Sequence, residues 1–370
     1  MRGGTSKGVF LRPEHLPADA AARDRLLLRI LGSPDPYGKQ IDGMGGATSS
    51  TSKVVLVSQS ERPDCDVNYL FGQVRIDAPA IDWSGNCGNL TTAVGPFAIA
   101  EGLLAAPADG VATVRIWQAN IGKRIVAHVP MRGGEVQEEG DFELDGVTFP
   151  AAEIRLEFMD PGEGGGRTFP TGAASETLEV PGIGKLEATL ISAGIPTVFV
   201  HAAALGLRGT ELQPEVNGNA ELLARAEAVR AQGAVRMGLV GSLEEAAKRG
   251  HTPKLCCVAP AADYVASNGK RVAAGDIGLL ARIFSMGVLH HAMTGTGGVA
   301  IAVAAAIPGT LVHRLARPNT AGRIRFGHPS GTLEVGAEAR EEGGQWIVAK
   351  AVMSRSARRL MEGWVRVPAA

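Results

Sequence analysis

The chain has 370 residues, 45% apolar and 20% charged, with a formal net charge of −1. This fits a globular protein of about two domains and excludes a global field that would attract nucleic acid or an anionic membrane. The apolar run Ala300–Ile307 is too short to span a bilayer, no secretion signal opens the chain, and four cysteines without C-x-x-C or framework spacing read as reduced thiols of a cytoplasm. The eight histidines include no H-x-x-x-H or H-E-x-x-H, so no metal site is expected.

In chain order, Gly3–Gly8 is a loop entering a short strand, Val9–Leu11. Ala20–Leu31 has the apolar spacing of an amphipathic helix, stopped by Gly32 and Pro34. Gly43–Ser52 is a Gly/Ser/Thr-rich loop running into strand Val54–Val57, and Tyr69–Ile76 alternates like a strand. Gly85-Asn86-Cys87-Gly88-Asn89 then precedes an apolar helical stretch through Leu103, and Val111–Trp117 with Ile125–Pro130 forms a β pair. Pro161–Ala174 is a Gly- and Pro-rich loop or boundary. The second half repeats the plan. Ala193–Phe199 matches the opening segment, helices are predicted around Glu221–Gln232 and Ala274–Leu289, and Thr294-Gly295-Thr296-Gly297 leads into a second apolar helix, Val299–Ala306. Arg323–Phe326 and Gly331–Val335 mirror the β pair after the first apolar helix. The expected fold is α+β, with two pseudo-symmetric domains, each a curved mixed sheet or barrel around one helix, and an active site in the cleft between them. The expected domains are 1–184, to which the tail 355–370 returns, and 185–354.

Cys87 is the first candidate for chemistry. A helix N-terminus offers free N–H groups and the positive end of the dipole, which favour a thiolate and can hold a carboxylate. The ordinary alternative is a cysteine buried as a small hydrophobe. Cys65, between Asp64 and Asp66, reads as a surface residue, and Cys256 with Cys257 as structural members of an apolar strand. Lys53 is the second candidate. It interrupts a small, apolar segment where the Ser49–Ser52 loop meets a strand, and a desolvated lysine there can act as acid or base; a surface lysine is the alternative. The substrate-binding set is Arg2, Ser6 and Lys7 in the opening loop, Ser49, then Asn86, Gly88 and Asn89 around the thiol, the cations Arg236 and Lys254, and Thr294, Gly295, Thr296 and Gly297 at the second helix. No Walker loop, dinucleotide fingerprint or Gly-x-Ser-x-Gly elbow occurs.

Two similar halves, each with a small-residue loop before a central helix, resemble the diaminopimelate epimerase fold. Within it, the stretches MRGGTSKGVF, QIDGMGGATSSTSK, DWSGNCGNLTTAVG, RIWQANIGK, AGIPTVFV, RFGHPSGTLEVGA and MSRSARRLMEGWVRVP resemble the PrpF proteins, 2-methylaconitate cis–trans isomerases of the methylcitrate route of propionate breakdown. The resemblance implies Lys53 and Cys87 as the catalytic pair, no cofactor, a tricarboxylate substrate and a metabolic link to a methylcitrate dehydratase, with a homodimer left open. The epimerases carry a second cysteine where this chain has Thr294, so a symmetric two-thiol mechanism is not expected. PrpF chains also have a short strand before the first motif, which places the expected native start upstream of Met1. The nearest competing reading is a 4-oxalomesaconate tautomerase. A non-catalytic carboxylate-binding protein and a cysteine hydrolase are competitors of other classes.

Overall fold

The structure, a computed structural model, describes residues 1–162, 167–319 and 322–367. The chain forms two units, Met1–Glu157 with Ser354–Ala370, and Phe158–Met353. No helix among the described residues is long and apolar enough to cross a membrane.

In the first unit the elements are β1 (Arg2–Gly3), β2 (Ser6–Lys7), β3 (Val9–Leu11), α1 (Ala20–Leu31), β4 (Lys53–Gln59), β5 (Val67–Val74), β6 (Ile81–Asp82), α2 (Gly88–Ala100), β7 (Gly110–Gln118), β8 (Lys123–Arg132) and β9 (Glu135–Val136). β3 pairs parallel with β4, β4 antiparallel with β5, β5 parallel with β7, and β7 antiparallel with β8. Helix α1 starts where the Asp19 side chain accepts from the Ala22 N–H and stops at Gly32, whose φ of 72° is the left-handed conformation that ends helices. Its buried face, Leu27, Leu28, Ile30 and Leu31, packs with Val54 and Val74. Helix α2 is buried on all sides, including Leu90, Ala93, Val94 and Ala98, as a helix enclosed by its own sheet must be. Gly95 lets it approach β8, since a Cβ there would lie 2.8 Å from Val129 Cγ2.

The loop before β4 is held by backbone contact. A Cβ on Gly43 would lie 2.1 Å from the Gly32 nitrogen and 2.3 Å from the Leu31 carbonyl carbon, neither of which can rotate away. Gly43→Ala is therefore expected to lower stability by about 1–3 kcal/mol, read as a lower denaturant midpoint at unchanged slope.

β10 (Ile154–Met159) carries the chain into the second unit, which continues with β11 (Glu176–Val180), β12 (Gly184–Ala193), β13 (Ile195–His201), α3 (Gln213–Asn217), α4 (Ala220–Arg236), α5 (Leu243–Lys248), β14 (Lys254–Ala259), β15 (Tyr264–Val265), β16 (Arg271–Val272), β17 (Leu279–Ser285), β18 (Val288–Leu289), α6 (Gly295–Ala306), α7 (Leu311–Leu315), β19 (Ile324–His328), β20 (Gly331–Glu342) and β21 (Gln345–Arg355). Strand β22 (Ala357–Arg358) closes the first unit by pairing with β1, Gly3 opposite Ala357.

The plan of the first unit recurs in the second: β13 parallel to β14, β14 antiparallel to β17, a short strand and a fully buried helix, then β17 parallel to β19 and β19 antiparallel to β20. Two expectations need correction. A boundary at 184/185 would split the antiparallel pair β11–β12, in which Thr177 faces Glu187, so the division falls at 157/158 and 353/354 instead. The helix predicted over Ala274–Leu289 is two strands after a short 3₁₀ turn. All of Leu279–Ser285 is buried, between β14 and β19, and a strand covered on both faces shows no alternation to separate it from a helix. The predicted loop Pro161–Ala174 lies partly outside the described residues.

Candidate active site

Cys87 is the N-cap of α2. Its backbone is extended, its Sγ accepts from the Leu90 N–H at 3.5 Å, and it is 9% exposed. The carbonyl of Cys87 is fixed from two sides, by Tyr69 Oη at 3.1 Å and Thr91 Oγ1 at 3.0 Å. Burial, then Cys87, pushes the Tyr69 phenol well above its ordinary value, which keeps it a donor. The thiol is thus held in one orientation over the first free N–H groups of a buried helix.

Lys53 opens β4 opposite Gln73 of β5. Its side chain is buried, and Nζ donates to the Ser49 carbonyl and to Gln73 Oε1, the latter at 2.7 Å. Gln73 is oriented for this because its Nε2 donates to the Ser52 carbonyl at 3.0 Å. Among the described residues, no carboxylate pairs with Lys53. Burial pulls its ammonium below the ordinary 10.5, and the neighbouring Cys87 opposes that shift.

Around this pair the structure gathers several predicted residues. Lys7 N–H donates to the Ser50 carbonyl, which docks β2 on the loop that carries Ser49. Ser6 is buried beside it in the sequence, on β2. Gly88 and Asn89 form the first turn of α2, and Asn89 Nδ2 donates to Thr5 Oγ1 at 3.0 Å. Asn86 is 3% exposed, yet neither Oδ1 nor Nδ2 has a partner among the described residues.

The remaining predicted residues lie in the second unit, and two of them form a counterpart of the first pair. Lys254 opens β14 as Lys53 opens β4, and its Nζ donates to Ser285 Oγ at 2.8 Å, on the neighbouring antiparallel strand, as Lys53 does to Gln73. Lys254 Nζ also lies 3.3 Å from His251 Nδ1. Thr294 is the N-cap of α6, its Oγ1 accepting from the Gly297 N–H at 3.1 Å, as Cys87 Sγ accepts from Leu90. Gly295, Thr296 and Gly297 are the buried first turn. One constellation, a strand-opening lysine with a capping side chain at a buried helix, is therefore built twice, with a thiol in one copy and a hydroxyl in the other.

A profile described as "PrpF protein" matches residues 1–368. The chain belongs to the PrpF family. A 2-methyl-aconitate isomerase of Cupriavidus necator is 64% identical over 379 residues, covering 100% of this chain and 96% of its own length. One of Shewanella oneidensis is 63% identical over 380 residues with the same coverage. The crystal structure of a methylitaconate-delta-isomerase superposes with a TM-score of 0.80 at 37% identity, covering 98% of this chain and 93% of that one. The fold is diaminopimelate epimerase-like and α+β.

Two residues of this PrpF chain were not singled out from the sequence. Asn120, in the turn after β7, donates to the carbonyls of Phe71 and Trp83 and accepts from Phe71 N–H, tying the strand behind Lys53 to the start of the Cys87 loop. Trp83 is held from its other side by Asp24, which accepts from its indole N–H at 3.0 Å. Arg355 is 0% exposed, and its Nε, Nη1 and Nη2 have no partner among the described residues. Burial lowers it to about 10, opposed only by Cys87.

Three predicted cations have partners within the protein, and one thiol is more buried than expected. Arg236 has an ion-pair partner of its own. It lies exposed at the end of α4 and pairs with Glu176 at 2.9 Å, because the last turn of that helix faces β11. Arg2 donates to the Ser356 carbonyl at 2.8 Å and to Ser356 Oγ at 3.1 Å, so it pins the returning chain. Lys254 is buried on the contacts given above. Cys65 is buried, not surface-exposed as expected from its acidic neighbours; burial, then Asp64, pushes its thiol up.

Proposed function

We propose that this chain is a cofactor-independent isomerase that interconverts 2-methyl-trans-aconitate and 2-methyl-cis-aconitate. The observation that carries the chemistry is a buried lysine, paired with no carboxylate among the described residues and electrostatically coupled to a thiol at a buried helix N-terminus. The substrate class is supported by 64% identity over the whole chain to an enzyme of that name.

In this reading a base takes a proton from the substrate's methylene carbon, which is acidic because it is conjugated through the double bond with a carboxylate. The electron pair spreads into a dienolate, and the former double bond gains single-bond character and turns. A proton then returns to the methylene carbon. Lys53 and Cys87 share removal and return. Burial lowers the ammonium of Lys53 from its ordinary value, the direction that favours release of its proton in this exchange. The N–H groups at the start of α2 and the fixed cations stabilise the carboxylate charge as it grows, as an oxyanion site does. A cytoplasmic location, consistent with four free thiols, and a methylcitrate dehydratase as the metabolic source belong to the same reading.

The test is turnover on two substrates. We expect kcat/KM on 2-methyl-trans-aconitate to exceed that on 4-oxalomesaconate by about tenfold or more. The reverse order makes the protein a tautomerase, and no turnover of either by folded protein makes it a binding protein.

A further inference from the structure

A buried arginine almost always meets an anion. Arg355 meets none: its five N–H donors sit at 0% exposure with no acceptor in the described structure, and no acidic side chain pairs with it. Leaving such a group unsatisfied is costly, and the cost persists only where something is gained from it. Its position is not accidental. The chain returns through Ser356, whose carbonyl accepts from Gly4 N–H at 2.9 Å, and Ala357, paired with Gly3. Gly3 and Gly4 in turn press on the first turn of α2: a Cβ on Gly3 would lie 2.6 Å from the Asn89 carbonyl oxygen, and one on Gly4 2.5 Å from Asn89 Oδ1. Arg355 is thereby fixed near the end of α2 where Cys87 stands, and Cys87 is the group whose charge acts on the guanidinium.

A second orphan lies in the same place. Asn86, next to the thiol, is 3% exposed with both amide atoms unpartnered. A guanidinium fork and an amide N–H, both desolvated and both lacking acceptors, are complementary to a carboxylate. We propose that Arg355 receives one carboxylate of the substrate, with Asn86 Nδ2 as a second donor, and so sets the reacting carbon against Cys87 and Lys53. The tricarboxylate identity of that ligand rests on the function proposed above; the need for an anion rests on the two orphaned side chains.

The test uses tricarballylate, a saturated tricarboxylate that has no double bond to isomerise. It is titrated calorimetrically into the full chain and into Arg355→Met and Arg355→Lys. The expected result is a dissociation constant raised ten- to a hundredfold by Met and less by Lys. KM for 2-methyl-trans-aconitate should rise in parallel, and the melting temperature of unliganded Arg355→Met should equal or exceed that of the wild type, because an uncompensated buried charge has been removed. Unchanged tricarballylate affinity in Arg355→Met would overturn the proposal. So would a lower melting temperature in Met restored by Lys, the mark of a structural arginine. If the wild type binds tricarballylate through Arg355 but isomerises no methylaconitate, the functional reading falls and the anchor stands. If it isomerises methylaconitate and Arg355→Met keeps the wild-type KM, the anchor falls alone.

Discussion

Lys53→Ala is expected to lower kcat on 2-methyl-trans-aconitate by about 10²- to 10⁴-fold without unfolding the protein. The loss leaves two acceptors, the Ser49 carbonyl and Gln73 Oε1, without their donor, but it also removes an ammonium from a desolvated position. These terms oppose each other, so the melting temperature should move little. Lys53→Arg separates charge from proton transfer. It keeps a cation, yet a guanidinium does not release its proton in the working range, so it should be as inactive as alanine. The pH dependence follows from the lowered lysine value. As base, the neutral amine gains population as pH rises through its folded-state value, below 10.5, and kcat rises with it. Stability moves in the same direction. Between the folded value and 10.5 the unfolded chain binds the proton more strongly, so unfolding free energy increases with pH across that window. Lys53→Ala should lose both slopes.

Cys87→Ala is expected to cost a similar factor in kcat, and Cys87→Ser to rescue structure without rescuing rate. A serine hydroxyl can cap α2 by accepting from Leu90 N–H, as Thr294 caps α6 by accepting from Gly297, so Cys87→Ser should be more stable than Cys87→Ala by about 1 kcal/mol. A hydroxyl does not ionise near neutrality, so the serine variant should stay slow. Denaturant melts beside kcat for the two variants read both effects. A serine variant with wild-type kcat would reduce Cys87 to a helix cap.

The parts of this arrangement written in local sequence were readable there. The small-residue segments before α2 and α6 announce buried helix starts, and Lys53 stands out as one charge in an apolar strand. The duplicated plan is visible because Ala193–Phe199 and the opening segment share their spacing, and the structure places both beside lysine-headed strands. What escaped depends on contacts far apart in sequence. β17 carries no periodic signal because both faces are covered. Arg355 lies near Arg358 and Arg359 in the sequence and carries no local signal of burial; in the structure it is 0% exposed and leads into Ala357, which pairs with Gly3. Asn120 looks like an ordinary turn residue until its bonds to Phe71 and Trp83 are seen. Cys65 shows the opposite error, since two flanking carboxylates suggest exposure while the thiol itself is buried.

Proton exchange at the substrate carbon is the measurement nearest to the central claim. 2-Methyl-trans-aconitate is incubated in deuterated water with wild type, Lys53→Ala and Cys87→Ala, and followed by NMR. The account predicts appearance of the cis isomer with deuterium at the methylene carbon in the wild type, and loss of both isomer and label in the two variants. Isomerisation by the wild type that is matched by either folded variant would contradict it.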